Sequence, residues 1–222
     1  GSKLVGGGGR TVWLHFGGQS AVKSGLSGRV KVSLEAQGIK HVELGGGRPN
    51  PEITLAREGS ALCKEHDVDW VLAVGGGSVI DSAKAIAVGA HYDGDVWDFF
   101  EPKRPTDDVL PIAGVRTIPA AGSEASKNTV VSNDALQMKS GYANNAQRPK
   151  LAFMNPELTF TLPEYQTAAG LTDMFCHLLE RFFDDVGAVP ATDHLCLSLL
   201  TTVRAGAPPV QVAPDHSVPR AH

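Results

Sequence analysis

The sequence predicts an α/β fold: a parallel sheet covered by helices, followed by the start of an all-helical domain. Three observations support this prediction. Apolar, β-rich runs alternate with segments of helical periodicity over residues 11–158. Glycine-rich turns follow several of those runs, as they do in βα connections. After Pro163 the strand pattern stops and two helical segments follow one another.

The predicted strands begin with the apolar run Thr11–Phe16 and the short run His41–Leu44. Trp70–Val74 is almost wholly apolar, which is typical of a strand that is buried on both faces of a parallel sheet. Later strand-like segments are weaker and lie at Val109–Pro119, Thr129–Ser132 and Leu151–Met154.

Helical spacing of apolar residues fills the intervals between the first strands. It predicts helices at Val22–Gln37, Ile53–His66 and Val79–Gly89. Beyond the sheet it predicts two more, at Tyr165–Phe183 and Thr192–Val203. We therefore expect an α/β domain over residues 11–158 and the beginning of a helical domain over residues 159–204.

The two ends of the chain differ from the rest in composition. Gly1–Arg10 is rich in glycine and is typical of a linker. Residues 205–222 contain four prolines and no apolar periodicity, which predicts that no helix runs through them. Residues 1–10 and 205–222 are therefore interpreted as a linker and a tail.

Composition narrows the class of protein. Hydrophobic residues make up 42% of the 222 residues and charged residues 20%, as in a globular domain. A net charge of −4 argues against a nucleic acid partner, and no apolar run has the length of a membrane span. The three cysteines lack paired spacing, so we expect reduced thiols and a cytoplasmic location.

The turn Gly75-Gly76-Gly77-Ser78 carries the most informative motif, since it lies between a buried strand and a helix. We expect its glycines to adopt positive φ and to let a ligand approach the backbone closely. The free amides of the following helix would then face an anion, and Ser78 with Asp81 would form a capping box. A tight βα turn without a ligand is the alternative. We favour a pyrophosphate site because ligands bind at the carboxyl ends of parallel strands.

A second glycine turn, with Gly17, Gly18 and Ser20, ends the first strand. No carboxylate follows that strand, where one would bind the adenosine ribose and repel a 2′-phosphate, which favours NADP(H) over NAD(H). A plain turn explains this segment equally well.

A third segment of small residues follows a later strand. The hydroxyl groups of Thr117 and Ser123 would serve there as hydrogen-bond donors to a nucleotide, and Pro119 lies between them. By itself this segment is weak evidence for a nucleotide site.

Asp173 and His177 are four residues apart in a predicted helix, so they lie on one face. A carboxylate and an imidazole on one face can bind a divalent metal, and Glu180 lies one turn further on. A hydrogen-bonded surface pair is the more frequent reason for this spacing.

Several stretches occur in the order found in one enzyme family: FGGQSAVKSG, ELGGGRPNP, WVLAVGGGSVIDSAKAIA, TIPAAGSEAS and RPKLAFMNPELTFTLPEYQTAAGLTDMFCHLLERFF. Together they resemble the iron-containing (group III) alcohol dehydrogenases, in particular the branch of NADPH-dependent butanol dehydrogenases and aldehyde reductases. The resemblance implies a Rossmann-like sheet domain followed by a helical metal-binding domain.

The resemblance also implies roles for the residues already named. Gly75, Gly76, Gly77 and Ser78 would bind the cofactor pyrophosphate, with Asp81 near the nicotinamide. Gly17, Gly18 and Ser20 would surround the adenosine ribose and its 2′-phosphate, and Thr117, Pro119 and Ser123 would line the nucleotide. Asp173 and His177 match the first two of four ligands of Fe²⁺ or Zn²⁺, which polarises an alcohol or aldehyde during hydride transfer.

The chain departs from the family pattern after about Val203, where the remaining metal ligands, both histidines, would follow. The resemblance therefore implies a C-terminally truncated enzyme with an incomplete metal site. Two alternatives remain open: a non-catalytic nucleotide-binding fragment, and a polyol or glycerol dehydrogenase-like enzyme. Apolar faces in Tyr165–Phe183 would favour self-association, so a homodimer is one expected assembly.

Overall fold

A computed structural model describes residues 1–8, 10–17, 19–47, 49–185, 187 and 189–212, except for the side chains of residues 19, 20, 209, 211 and 212. The chain divides into two compact units. The first, the sheet unit, comprises residues 1–116 and 123–153. The second, the helical unit, comprises residues 117–122 and the chain from residue 154 onward.

A five-stranded sheet forms the centre of the sheet unit, with the strand order β2-β1-β3-β4-β7. The strands are β1 (Thr11–Gly17), β2 (Lys40–Gly47), β3 (Trp70–Gly75), β4 (Ile112–Arg116) and β7 (Leu151–Met154). β1 pairs in parallel with both β2 and β3, and β3 pairs in parallel with β4. All six residues of β3 are buried. The predicted α/β class with a central parallel sheet is confirmed.

Helices α4 (Ile53–Glu65) and α5 (Gly77–Gly89) follow β2 and β3, close to their predicted positions. The predicted single helix Val22–Gln37 is wrong. Two helices stand there, α2 (Gln19–Lys23) and α3 (Leu26–Glu35), with Gly25 between them. Gly25 has φ 71, a left-handed conformation that interrupts helical hydrogen bonding and that glycine adopts without steric strain.

The sheet unit also contains an antiparallel hairpin of β5 (Asn128–Asn133) and β6 (Met138–Ala143). The sequence predicted part of β5, at Thr129–Ser132, but predicted no strand where β6 lies. Val131 and Tyr142 extend from the hairpin into the main hydrophobic core. Burial of these two side chains explains why a polar segment forms a strand.

Both predictions for the chain ends are wrong where the structure describes them. Helix α1 (Ser2–Gly6) replaces the expected linker, and Leu4 is 2% exposed. The indole of Trp70 donates a hydrogen bond of 3.3 Å to Gly7 O, which holds α1 against the sheet unit. The prediction failed because the glycine content of this segment does not reveal that Leu4 is buried.

In the helical unit, α6 (Glu164–Phe182) packs against α7 (Pro190–Val212). Helix α7 continues through Pro208, although the sequence predicted no helix beyond residue 204. A proline removes one helical hydrogen bond but keeps a helical φ, so it does not by itself end the helix. Residues 213–222 of the predicted tail lie outside the described residues. Among the described helices, none combines the length and apolarity that crossing a membrane requires.

Candidate functional site

The turn between β3 and α5 is formed by three consecutive glycines. Gly75 ends β3, Gly76 caps the helix with φ −85 and ψ −171, and Gly77 is the first helical residue. The described glycines with positive φ do not include these three, so the expected left-handed conformation is wrong. Gly75 is required for another reason: a Cβ there would lie 2.6 Å from Val79 Cγ2. The first glycine therefore allows α5 to pack closely on the end of its own strand.

Gly17, at the end of the neighbouring strand β1, approaches the same side chain. A Cβ on Gly17 would lie 3.0 Å from Val79 Cγ2. The ends of β1 and β3, which are paired neighbours in the sheet, thus both lie close to Val79. Gly18 lies outside the described residues, and of Ser20 the structure describes only its place in α2.

Gly77 differs from Gly75 and Gly17 because an added Cβ there would meet no described atom at close range. The nearest atom to a Cβ on Gly77 is Ser123 Cβ, at 3.9 Å, an ordinary van der Waals distance. The amides of Val79 and Ile80 both donate to Gly76 O. The amides of Gly77 and Ser78 precede them in the first turn, where a helix has no carbonyl to receive them. An anion can approach these amides over Gly77, favoured by the helix dipole.

Asp81 does not form the predicted capping box with Ser78, since α5 has no side-chain cap. Its carboxylate binds a different part of the chain: Ser123 Oγ donates to Oδ1, and the amide of Val130 donates to Oδ2 at 3.3 Å. Burial raises the pKa of Asp81, while the hydrogen bond from Ser123 and the charge of Lys84 lower it. The side chain of Asp81 is still 20% exposed, so a ligand can reach it.

Lys84 was missed by the sequence reasoning. The side chain of Lys84 is fully buried. Its Nζ donates hydrogen bonds of 3.1 Å to Ser123 Oγ and 2.7 Å to Asn128 O, and it lies 3.7 Å from Asp81 Oδ1. Burial lowers the pKa of Lys84 to about 8, opposed by the charge of Asp81. A lysine three residues after an aspartate, in an otherwise apolar helix, was the sequence feature that could have indicated it.

The third predicted segment is divided between the two units. Ser123 belongs to the sheet unit, and its hydroxyl donates to Asp81. Thr117 and Pro119 belong to the helical unit, where both are partly exposed. A Cβ on Gly170 of α6 would lie 2.5 Å from Pro119 O, so this glycine allows the segment to lie close against α6.

Asp173 and His177 lie on one face of α6, as predicted. His177 Nε2 is 3.7 Å from Asp173 Oδ1, and His177 Nδ1 is 3.8 Å from Glu180 Oε2. The side chains of His177 and Asp173 are 51% and 45% exposed, so both can turn towards a ligand. Imidazole and carboxylate suit Fe²⁺ or Zn²⁺. Within the described part of the chain, no group of three or more His, Cys, Asp or Glu residues has metal-binding geometry.

Comparison with known proteins shows the family of the chain. The family described as "Iron-containing alcohol dehydrogenase" matches residues 2–156. Probable NADH-dependent butanol dehydrogenase 2 of Bacillus subtilis is 42% identical over 200 residues, which cover 90% of this chain and 51% of that protein. NADPH-dependent aldehyde reductase YqhD of Escherichia coli is 30% identical over 214 residues, covering 95% and 55% respectively.

Solved structures show the same similarity. The crystal structure of NADH-dependent butanol dehydrogenase A from Thermotoga maritima matches with a TM-score of 0.95 at 37% sequence identity. The match covers 99% of this chain and 55% of that one. The chain therefore spans about half the length of the relatives it matches.

Proposed function

The chain belongs to the iron-containing alcohol dehydrogenase family, and from this premise we propose that it binds a nicotinamide dinucleotide for metal-assisted hydride transfer between a primary alcohol and an aldehyde. The observation that carries the proposal is the start of α5 at Gly77, where the first amides have no helical acceptor and an added Cβ would meet only Ser123 Cβ, at 3.9 Å. This helix start lies at the carboxyl ends of two adjacent parallel strands, where dinucleotides bind in α/β sheets.

The pyrophosphate would accept hydrogen bonds from the amides of Gly77 and Ser78. Each carboxylate oxygen has two lone pairs, so Asp81 can accept from a ligand hydroxyl or carboxamide while it accepts from Ser123 and Val130. The carboxylate would orient the ligand in this way, and the tight packing of Gly17 and Gly75 on Val79 would hold the loop rigid.

We propose NADP(H) as the preferred cofactor, because residues 18–24 after β1 contain no carboxylate that would repel a 2′-phosphate. The relatives differ in cofactor: the Bacillus subtilis protein is a probable NADH-dependent butanol dehydrogenase, and YqhD is an NADPH-dependent aldehyde reductase. Titration of the chain with both dinucleotides tests the preference. Tighter binding of NADH than of NADPH would overturn it.

Asp173 and His177 would supply two ligands to Fe²⁺ or Zn²⁺. When bound, such a metal polarises the alcohol or aldehyde oxygen as a Lewis acid. A catalytic zinc site normally has three protein ligands, so this pair alone is an incomplete site. A small primary alcohol or aldehyde is the proposed substrate class.

Substitution of Gly77 by alanine tests the dinucleotide site directly. The added methyl group meets no atom closer than 3.9 Å, so we expect the fold to be kept while the pyrophosphate loses its approach. Calorimetric titration with NADPH and NADH should show affinity at least tenfold weaker than in the unchanged chain. Gly28→Ala is the matched control, because a Cβ at Gly28 in α3 also meets no atom within 4 Å. Equal affinity in Gly77→Ala and Gly28→Ala would contradict the site.

A second candidate function is dinucleotide binding without turnover. It is favoured by the lack of a third metal ligand beside Asp173 and His177 among the described residues. NADPH oxidation with butyraldehyde and added Zn²⁺ or Fe²⁺ distinguishes the two candidates, since only the enzyme turns over. Replacement of the alcohol by glycerol in the reverse reaction tests the polyol dehydrogenase alternative.

A further inference from the structure

We propose that Lys84 is a positioning residue of the dinucleotide site, whose buried ammonium group holds Ser123 and Asp81 in the arrangement that receives the ligand. This inference rests on the proposed function, because it assigns a role within the same site. Lys84 would touch neither cofactor nor substrate and would act through the two side chains it contacts.

The contacts of Lys84 direct its ammonium group into the protein. Two of the three N–H bonds have acceptors at Ser123 Oγ and Asn128 O, at 3.1 and 2.7 Å. Asp81 Oδ1 lies 3.7 Å from the same nitrogen, which is the distance of an ion pair. Because Lys84 is fully buried, its ammonium group is not exposed to a ligand and acts through these neighbours.

The direction of the hydrogen bonds gives Lys84 its influence on Asp81. An ammonium group donates and cannot accept, so Ser123 Oγ must accept from Lys84. The single hydroxyl proton of Ser123 is then left to point at Asp81, and the structure places it there. Without Lys84 the hydroxyl group could rotate away, and Asp81 would lose a donor and a neighbouring positive charge together.

Packing alone does not account for a lysine at this position. Burial disfavours the charged form of Lys84, as its pKa of about 8 shows, so the charged side chain opposes folding at neutral pH. The facing charged groups are Asp81 on the same helix and Arg148 before β7, and Arg148 adds to the lowering of the pKa. A methionine would fill similar space without this penalty.

The same lysine joins α5 to the segment that carries Ser123. Lys84 donates a hydrogen bond to Asn128 O, and the next residue, Thr129, donates from Oγ1 to Asp81 O at 2.9 Å. The start of β5 is therefore tied to the helix that opens the site. A change at Lys84 would release the side chains and this backbone segment together.

Calorimetric titration with NADH of the unchanged chain, Lys84→Met and Ser123→Ala tests the proposal, at pH values from 7 to 9.5. At pH 7 we expect both variants to bind at least tenfold more weakly than the unchanged chain. The affinity of the unchanged chain should fall as the pH rises through about 8, because Lys84 loses its proton there. Lys84→Met should lack this fall.

Ile86→Ala is the control, because this fully buried residue belongs to the same helix and its side chain lies against Gly59 of α4. It should lower stability while keeping the affinity and pH profile of the unchanged chain. An equal loss of affinity in Ile86→Ala would show that Lys84 acts only through stability, and would overturn the proposal.

The outcomes separate the two proposals. An unchanged chain that binds neither NADH nor NADPH overturns the proposed function and the role of Lys84 with it. Binding by the unchanged chain, with equal affinity in Lys84→Met, overturns the positioning role alone. If Lys84→Met does not fold, the other two measurements decide. The positioning role is overturned if Ser123→Ala binds as tightly as the unchanged chain and the affinity of the unchanged chain does not depend on pH.

Discussion

Two pairs of ionisable residues in this molecule have the same separation and different surroundings. Lys84 and Asp81 lie 3.7 Å apart on α5, and His177 and Asp173 lie 3.7 Å apart on α6. The first pair is fixed by Ser123, Asn128 and Val130, from a distant part of the chain. The second pair is about half exposed, and helix geometry alone brings it together.

This difference shows that distance within a pair does not determine what the pair can do. Buried and fully hydrogen-bonded charges hold their neighbours in place, and they depend on the whole sheet unit being folded. Half-exposed side chains on one helix are free to turn towards a metal and contribute little to stability. We therefore expect changes near α5 to alter stability and dinucleotide binding, and changes on α6 to alter metal binding alone.

Acid should reveal the largest effect, at His15 in the sheet unit. Burial lowers the pKa of His15 to about 4, opposed by its hydrogen bond to Leu44 O. The unfolded chain takes up this proton near pH 6.5 and the folded chain only near pH 4, so stability falls as the pH drops through that interval. The loss is about 3 kcal/mol.

Urea unfolding at pH 7 and pH 4, followed by circular dichroism, measures this loss. His15→Phe should remove most of the difference between the two pH values, whereas His177→Gln should leave it unchanged. The same acid loss in His15→Phe as in the unchanged chain would show that other groups cause it.

Gly75→Ala should give the next largest effect. The new methyl group would lie 2.6 Å from Val79 Cγ2, and such overpacking lowers the free energy of unfolding by about 1–3 kcal/mol. Gly77→Ala is the control and should change stability little, because its methyl group has room. Combination of Gly75→Ala with Val79→Ala should recover part of the loss that Gly75→Ala causes alone. Equal urea midpoints for Gly75→Ala and Gly77→Ala would contradict the packing role of Gly75.

On α6 we expect a smaller effect on stability and a clear effect on metal binding. Asp173→Asn with His177→Gln should change the free energy of unfolding by at most about 0.5 kcal/mol, as exposed substitutions usually do. Titration with Zn²⁺ should show weak binding by the unchanged chain and at least tenfold weaker binding by the double variant. Lys84→Met should bind Zn²⁺ as the unchanged chain does. Undiminished Zn²⁺ affinity in the double variant would remove the pair from the proposed metal site.

The smallest expected effect concerns the reactivity of the cysteine thiols, which is measured without any substitution. Burial raises the pKa of the Cys63 thiol in α4 to about 12, whereas Cys176 on α6 is exposed. A thiol needs its thiolate to react, so iodoacetamide at pH 8 should label Cys176 while Cys63 stays unmodified. Mass spectrometry of tryptic peptides identifies the labelled residue. Rapid labelling of Cys63 in the folded chain would contradict the packing of α4 on the sheet.

The sequence predicted those parts of the fold that local pattern determines. The buried strand β3 and the glycine turn after it were found because an apolar run and three glycines are visible without any partner. The break at Gly25 was missed, because a glycine inside a helical pattern does not reveal its φ. Strand β6 was missed because its burial depends on Tyr142 reaching a core formed by distant segments.

The candidate site followed the same rule. Asp173 and His177 could be paired from spacing alone, since one helix brings them together. Lys84 could not be assigned, because its partners Ser123 and Asn128 come from 39 and 44 residues away. The sequence analysis also gave the wrong reason for the glycine at position 75. Glycine is required there because the side chain of Val79 lies close, and not because the residue has a positive φ.

The placement of the tryptophans has a spectroscopic consequence. Trp13, Trp70 and Trp97 are all the tryptophans of the chain, and all three are buried in the sheet unit. Intrinsic indole emission therefore reports on the sheet unit alone, while ellipticity at the helical wavelengths includes α6 and α7. If the two units melt separately, the emission shift and the ellipticity loss will occur at different temperatures. The sequence thus carries its own reporter for the folding of the sheet unit, and no label is needed.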